Sequence, residues 1–154
     1  LDFASGDQGV LVAHGDQGGG YALYVLDDTL HFVHNDGRGH MRSVSGGPIP
    51  SGTTEIVADF AAPGKNVWTL TLSADGVALA TLDDVPMLYG IAPFEGIDVG
   101  IDRRSPVSWP IFERFGPFPW SGVLHRVAIE PGEPAPDSPS NMIDILREMG
   151  ARFE

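Results

Sequence analysis

Cysteine is absent from this sequence, which excludes disulfides and thiol chemistry. Cationic residues are scarce: Lys and Arg number 9 against 21 Asp and Glu, and Lys65 is the one lysine. The formal net charge of −12 repels phosphate backbones, anionic membranes and sulfated polymers. Nucleic acid and membrane surfaces are therefore not expected partners. No apolar run approaches the length of a membrane span, and no signal peptide is visible, which favours a soluble, cytoplasmic protein. What is present is a folded composition, 42% apolar and 19% charged, in 154 residues, enough for one domain with a real core. Gly 20 and Pro 13 are high for this length, so turns are frequent and helices few.

Short segments of period-two hydrophobicity recur along the chain. Val10–Ala13, Tyr21–Leu26, Thr29–His34 and His40–Ser45 read as strands, with Asp27-Asp28 and Asn35–Gly39 as turns. Ile56, Ala58 and Phe60 alternate with Glu55, Val57 and Asp59; Trp68, Leu70 and Leu72 alternate with Thr69 and Thr71. Asp75-Gly76 is the strongest hairpin signal, and Val77–Leu82 returns antiparallel after it. Ile97, Val99 and Ile101 mark a further strand, and Val123–Ile129 a last one. Ser105–Pro119 holds four prolines and reads as an ordered loop. The pattern predicts an all-β fold, an antiparallel β-sandwich of jelly-roll, concanavalin-like type over residues 1–130. Leu70, Leu72, Val99 and Val127 are the expected core. A Pro-rich linker follows over 131–139. Residues 140–154 predict one short C-terminal α-helix, with Met142, Ile145, Leu146, Met149 and Phe153 on one stripe and Asn141 as its cap.

Chemistry-bearing residues are few. Gly18-Gly19-Gly20 precedes a strand and not a helix, so it lacks the free N–H groups of a phosphate cradle. His31 and His34 lie on opposite faces of one strand and cannot share an ion; His14 or His40 would have to join one of them across strands. Asp98 and Asp102 share a strand face, with Gly100 between them. Four residues of strand put them on the order of 13 Å apart, too far for a glycosidase pair. They are candidate calcium ligands, or partners of Arg103 and Arg104. Trp109, Phe112, Phe115, Phe118 and Trp120 crowd the Pro-rich segment. Of these, Trp109, Phe112, Phe118 and Trp120 are the candidate surface, either for docking on another domain or for stacking on carbohydrate. No catalytic residue is assigned.

Three segments carry a family resemblance: Gly9-Val10-Leu11-Val12-Ala13-His14-Gly15 through Gly19–Val25; Leu30-His31-Phe32-Val33-His34-Asn35; and Phe94–Gly100 through Ser105-Pro106-Val107 to Pro117–Val123. In order and spacing, over roughly residues 9–130, they resemble the concanavalin-like sandwich at the C-terminus of bacterial arylsulfatases. The resemblance implies a non-catalytic accessory domain cut from a larger sulfuric ester hydrolase, whose formylglycine and calcium ion belong to a separate N-terminal catalytic domain. That domain would be its partner, with association between copies as a further expectation. No cofactor is expected in this chain and no activity from it alone. The formylglycine motif C/S-x-P-x-R is not completed here: Ser108-Trp109-Pro110-Ile111-Phe112 has Phe where Arg is required. The other class of function is a lectin-like carbohydrate-binding module.

Overall fold

Alternating apolar side chains can be buried on one face only if the strands that carry them find hydrogen-bonding neighbours, and here most of them do. The computed structural model describes residues 1–87, 95–138 and 146. Its elements are β1 (Gly9–Asp16), β2 (Gly19–Leu26), β3 (Thr29–Asn35), β4 (Met41–Pro48), β5 (Ile56–Gly64), β6 (Val67–Ala74), β7 (Val77–Pro86), β8 (Ile97–Val99) and α1 (Trp109–Phe115). The strands form two sheets, one in the order β4-β3-β2-β1-β8 and one in the order β5-β6-β7. All pairings are antiparallel. The protein is an all-β sandwich with one short helix among the described residues.

Tight turns set the registers. Asp75-Gly76 closes β6 onto β7 with φ of 45° and 77°, as the dipeptide predicts. Asp27-Asp28 (52°, 57°) and Lys65-Asn66 (58°, 60°) make turns of the same hand without glycine. Such angles are strained for residues with a Cβ, and side-chain bonds offset the strain at the first turn. The Asp28 carboxylate accepts from the Ser5 hydroxyl (2.6 Å) and the Gly6 N–H (2.7 Å), which also hold its pKa below the usual carboxylate range. Asp75 accepts from the N–H groups of Thr54 (3.1 Å) and Glu55 (3.0 Å), tying the β6–β7 turn to the start of β5.

The two sheets face each other across one core. Leu11, Leu23, Val25, Leu30 and Phe32 come from the larger sheet; Leu70, Leu72, Ala74 and Val85 come from the smaller. Phe60, partly buried on the edge strand β5, packs against this core, with ring centroids 5.2 Å from Tyr21, 5.7 Å from Phe32 and 5.3 Å from Trp68. The larger sheet is also apolar on its outer face. There Val10, Ala13, Ala22, Tyr24 and Val33 pack under Val107 and Phe118. Strands buried on both faces read as continuous apolar runs, which explains Val10–Ala13 and Ala22–Val25.

Several sequence expectations need correction. Val123–Ile129 is not a strand: Val123 makes one isolated bridge, to Asp2, and Val127 is only partly buried. Among the described residues its alternation has no adjacent backbone to pair with beyond Asp2, and a hydrophobic period alone makes no ladder. Val99 is not core but 48% exposed, because the smaller sheet does not reach over β8. β8 itself ends at Val99, where Gly100 takes φ of 73°. Ser105–Pro119 is not all loop: it contains α1, since proline at the first helical positions needs no N–H. Apart from an exposed Leu146, the C-terminal helix expected over 140–154 lies outside the described residues. In the linker, Asp137 accepts the Lys65 N–H at 2.7 Å, which fastens it to the β5–β6 turn.

The burial contrast is testable. Leu72→Ala is expected to cost about 2–5 kcal/mol in urea unfolding, and Val99→Ala no more than about 0.5 kcal/mol. Similar losses at both positions would contradict the layer assignment.

Candidate functional site

The outer face of the larger sheet is covered by residues 100–120, and the sequence dictates how. Val10 N–H donates to the Phe118 carbonyl (2.9 Å), and Trp120 N–H to the Gly100 carbonyl (2.8 Å). Gly9 makes this approach possible: a Cβ there would lie 2.4 Å from the Pro119 carbonyl oxygen, and its φ is 128°. Two buried polar side chains hold the rest. Asp102 accepts the Val107 N–H (3.0 Å), while its own N–H donates to the Pro117 carbonyl (3.0 Å). Asn35 on β3 donates to the Val107 and Gln17 carbonyls, both at 3.1 Å. Buried polar groups bonded in this way fix one conformation, because breaking any bond strands a desolvated partner.

From that anchor α1 begins after Ser108 and ends where Gly116 N–H donates to the Phe112 carbonyl (2.7 Å). One side of the helix faces the sheet. Phe115 stacks on Phe118 at 4.4 Å, and Phe118 meets Tyr24 edge-on at 6.4 Å. Arg114 lies 4.7 Å from the Phe115 ring centroid, a cation–π contact at the helix end favourable to a cation. Trp109 and Phe112, three residues apart, share another side. Their rings stack at 5.6 Å and 27°, and Trp109 is 47% exposed.

The four aromatic candidates thus do not form one surface. Trp109 and Phe112 do; Phe118 is buried beneath the helix, and Trp120 packs against the core between the sheets. Asp98 and Asp102 do not share a strand, since Asp102 lies beyond the Gly100 break. Asp98 accepts the Arg103 N–H (2.9 Å) and lies 3.7 Å from that guanidinium; Glu95 lies 3.5 Å from Arg104. These carboxylates are engaged by backbone and arginine. Among the described residues no three His, Asp or Glu side chains are grouped to hold a metal ion.

The histidines are dispersed. His31 stacks on Tyr24 at the outer face, at 4.9 Å. His14 and His34 flank Tyr21 on the inner face, in the register His14↔Tyr21↔His34, so a ring stands between them. His40 pairs with Asp36 at 3.0 Å. Gly18 lies in the β1–β2 turn while Gly19 and Gly20 open β2, so no helix N-terminus meets them. No described helix is long and apolar enough to cross a membrane. No family model, no curated protein and no solved structure matches this chain.

Asp102 was not legible as an organiser of this face, because nothing in its spacing to Val107 marks the bond. Its pKa is raised from 3.8 to about 6, first by burial, with the charges of Asp98 and Glu95 adding and the Val107 N–H opposing. A carboxyl whose folded pKa is raised favours the fold when protonated. Its contribution is present below the unfolded value of 3.8 and is lost as pH rises through about 6. The melting temperature of Asp102→Asn minus that of the parent chain should therefore climb between pH 4 and pH 7. A difference constant over that range would show that Asp102 ionises freely.

Proposed function

We propose that this chain is a non-catalytic accessory module of an arylsulfatase-type sulfuric ester hydrolase, packing on the catalytic domain through the face that carries α1. The observation that carries the packing is the Trp109–Phe112 pair. A stacked aromatic pair, partly exposed on a helix held to the sheet by buried bonds, is the kind of rigid anchor that concentrates binding energy in interfaces. The engaged state of Glu95, Asp98 and Asp102 supports a structural role for the neighbouring carboxylates. The identity of the enzyme rests on the resemblance of the Gly9–Val25, Leu30–Asn35 and Phe94–Val123 segments. On that reading formylglycine and calcium act in the catalytic domain, and this chain shapes access to it.

The same aromatic pair favours a second reading. Flat apolar faces of this size also stack on pyranose rings, as in carbohydrate-binding modules.

Two measurements decide. The coding sequence upstream of Leu1 should contain a C/S-x-P-x-R motif within several hundred codons; a start codon there, or an unrelated domain, overturns the sulfatase assignment. On a glycan array the chain should retain no sugar. A glycan held by the parent chain and lost in Trp109→Ala would replace the accessory reading with the carbohydrate one.

A further inference from the structure

The two layers of the sandwich are unequal: five strands face three. β7 lies against β4, so the layers match at that end and the smaller one stops short at the other. What it fails to cover is apolar. The registers Val12↔Val99, His14↔Ile97 and His14↔Tyr21 put Val12, Ile97 and Val99 on the same face as Tyr21, which packs between the sheets. Yet Ile97 is 44% and Val99 48% exposed.

Beside β5 this shortfall is a groove of about 460 Å³. Leu11, Val12 and Leu23 form its floor, Thr54–Asp59 one wall and Leu124–Glu130 the other, and Leu1 stands at one end. The β5 wall turns open backbone toward it. Asp75 N–H donates to the Glu55 carbonyl, so residues 55, 57 and 59 bond toward β6. The N–H and C=O groups of Ile56 and Ala58 then point into the groove, and no hydrogen bond among the described residues reaches them. No hydrogen bond among the described residues reaches the backbone of 124–130 either.

Leu1–Phe3 already runs between these walls. On one side the Leu1 amino group donates to the Thr54 carbonyl and Phe3 N–H to the Thr53 carbonyl, both at 3.0 Å. On the other, Asp2 N–H donates to the Val123 carbonyl at 3.0 Å in an antiparallel bridge. Going from Phe3 to Leu1 the partner on the β5 side advances from Thr53 to Thr54, so the line is antiparallel and leads into the groove. We propose that the groove seats one further β-strand, joined through its carboxyl end to Leu1 and antiparallel to both β5 and residues 124–130. Because Leu1 and Phe3 face the core, the second and fourth residues before Leu1 face Leu11 and Val12 and are apolar. The intervening residues point outward past Glu55, Asp59 and Glu130, an acidic rim relieved by Arg126, and are hydroxylic or basic. The proposal deepens the accessory reading: the strand would be the last stretch of the connection from the catalytic domain.

The test compares the chain with a version extended before Leu1 by Val-Lys-Val-Thr-Val-Lys, a version extended by Val-Lys-Pro-Thr-Pro-Lys, whose prolines remove the N–H groups that would face β5, and the unextended chain with the first hexapeptide added free. Amide exchange of Ile56 and Ala58 is followed by NMR. The first extension is expected to slow exchange at both amides by about tenfold or more and to raise the melting temperature, and the proline version to do neither. Unchanged exchange at Ile56 and Ala58 in the first extension overturns the proposal, whether or not the free peptide binds. An upstream sequence unrelated to sulfatases would remove the accessory reading and leave this exchange result intact.

Discussion

Everything in this molecule depends on the closure of two meanders over a shared apolar layer, and Phe60 is a point at which rings of the two sheets meet. Its ring touches Tyr21 and Phe32 on the facing sheet and Trp68 on its own. Neither sheet could stay solvated on its inner face. A three-stranded meander with Leu70, Leu72 and Val85 exposed would lose the burial that offsets the entropy of ordering its chain. The turns, the Asp28 and Asp75 bridges and the bulges in β1, β4, β5 and β7 serve this contact by setting which side chains reach it.

The larger sheet is unusual in needing cover on both sides, and the second cover is what gives the chain a surface with chemistry on it. Residues 100–120 lie on the outer face through backbone bonds to Val10 and Leu11 and through the buried Asn35 side chain, while Asp102 and Trp120 bond within the segment and fix its shape. Phe115 and Phe118 face inward and seal the outer core; Trp109 and Phe112 are left outside. The same segment thus both completes the fold and presents the aromatic pair that the accessory reading uses. At the opposite side of the sandwich the shortage of strands leaves open backbone at β5. The two features lie on different faces and have different chemistry, one aromatic and side-chain-based, the other a hydrogen-bonding edge.

Much of the architecture was legible because its cause is local. Period-two alternation at Ile56–Phe60 and Trp68–Leu72, and the Asp75-Gly76 turn, are set by the residues themselves. Where the cause is a neighbour, the sequence misleads. Val99 alternates as well as Leu72 does but is 48% exposed, and Val123–Ile129 alternates beside a groove with, among the described residues, only the Asp2 bridge at Val123 to pair it. Prolines in 105–119 argue for loop, yet Pro110 sits at the one place in a helix that tolerates it. The aromatic cluster was visible by composition, but its division into buried Phe118, core-packed Trp120 and exposed Trp109 depends on the turn at Gly116 and the positive φ of 48° at Phe118.

The most direct measurement is a double-mutant cycle on Phe32→Leu and Phe60→Leu, followed by urea denaturation. The two rings lie on different sheets and touch only if the layers pack face to face. Closure as described predicts a coupling of about 0.5–1.5 kcal/mol between them. Losses that simply add would mean that the rings do not meet, and that the two sheets are not closed over each other at Phe60.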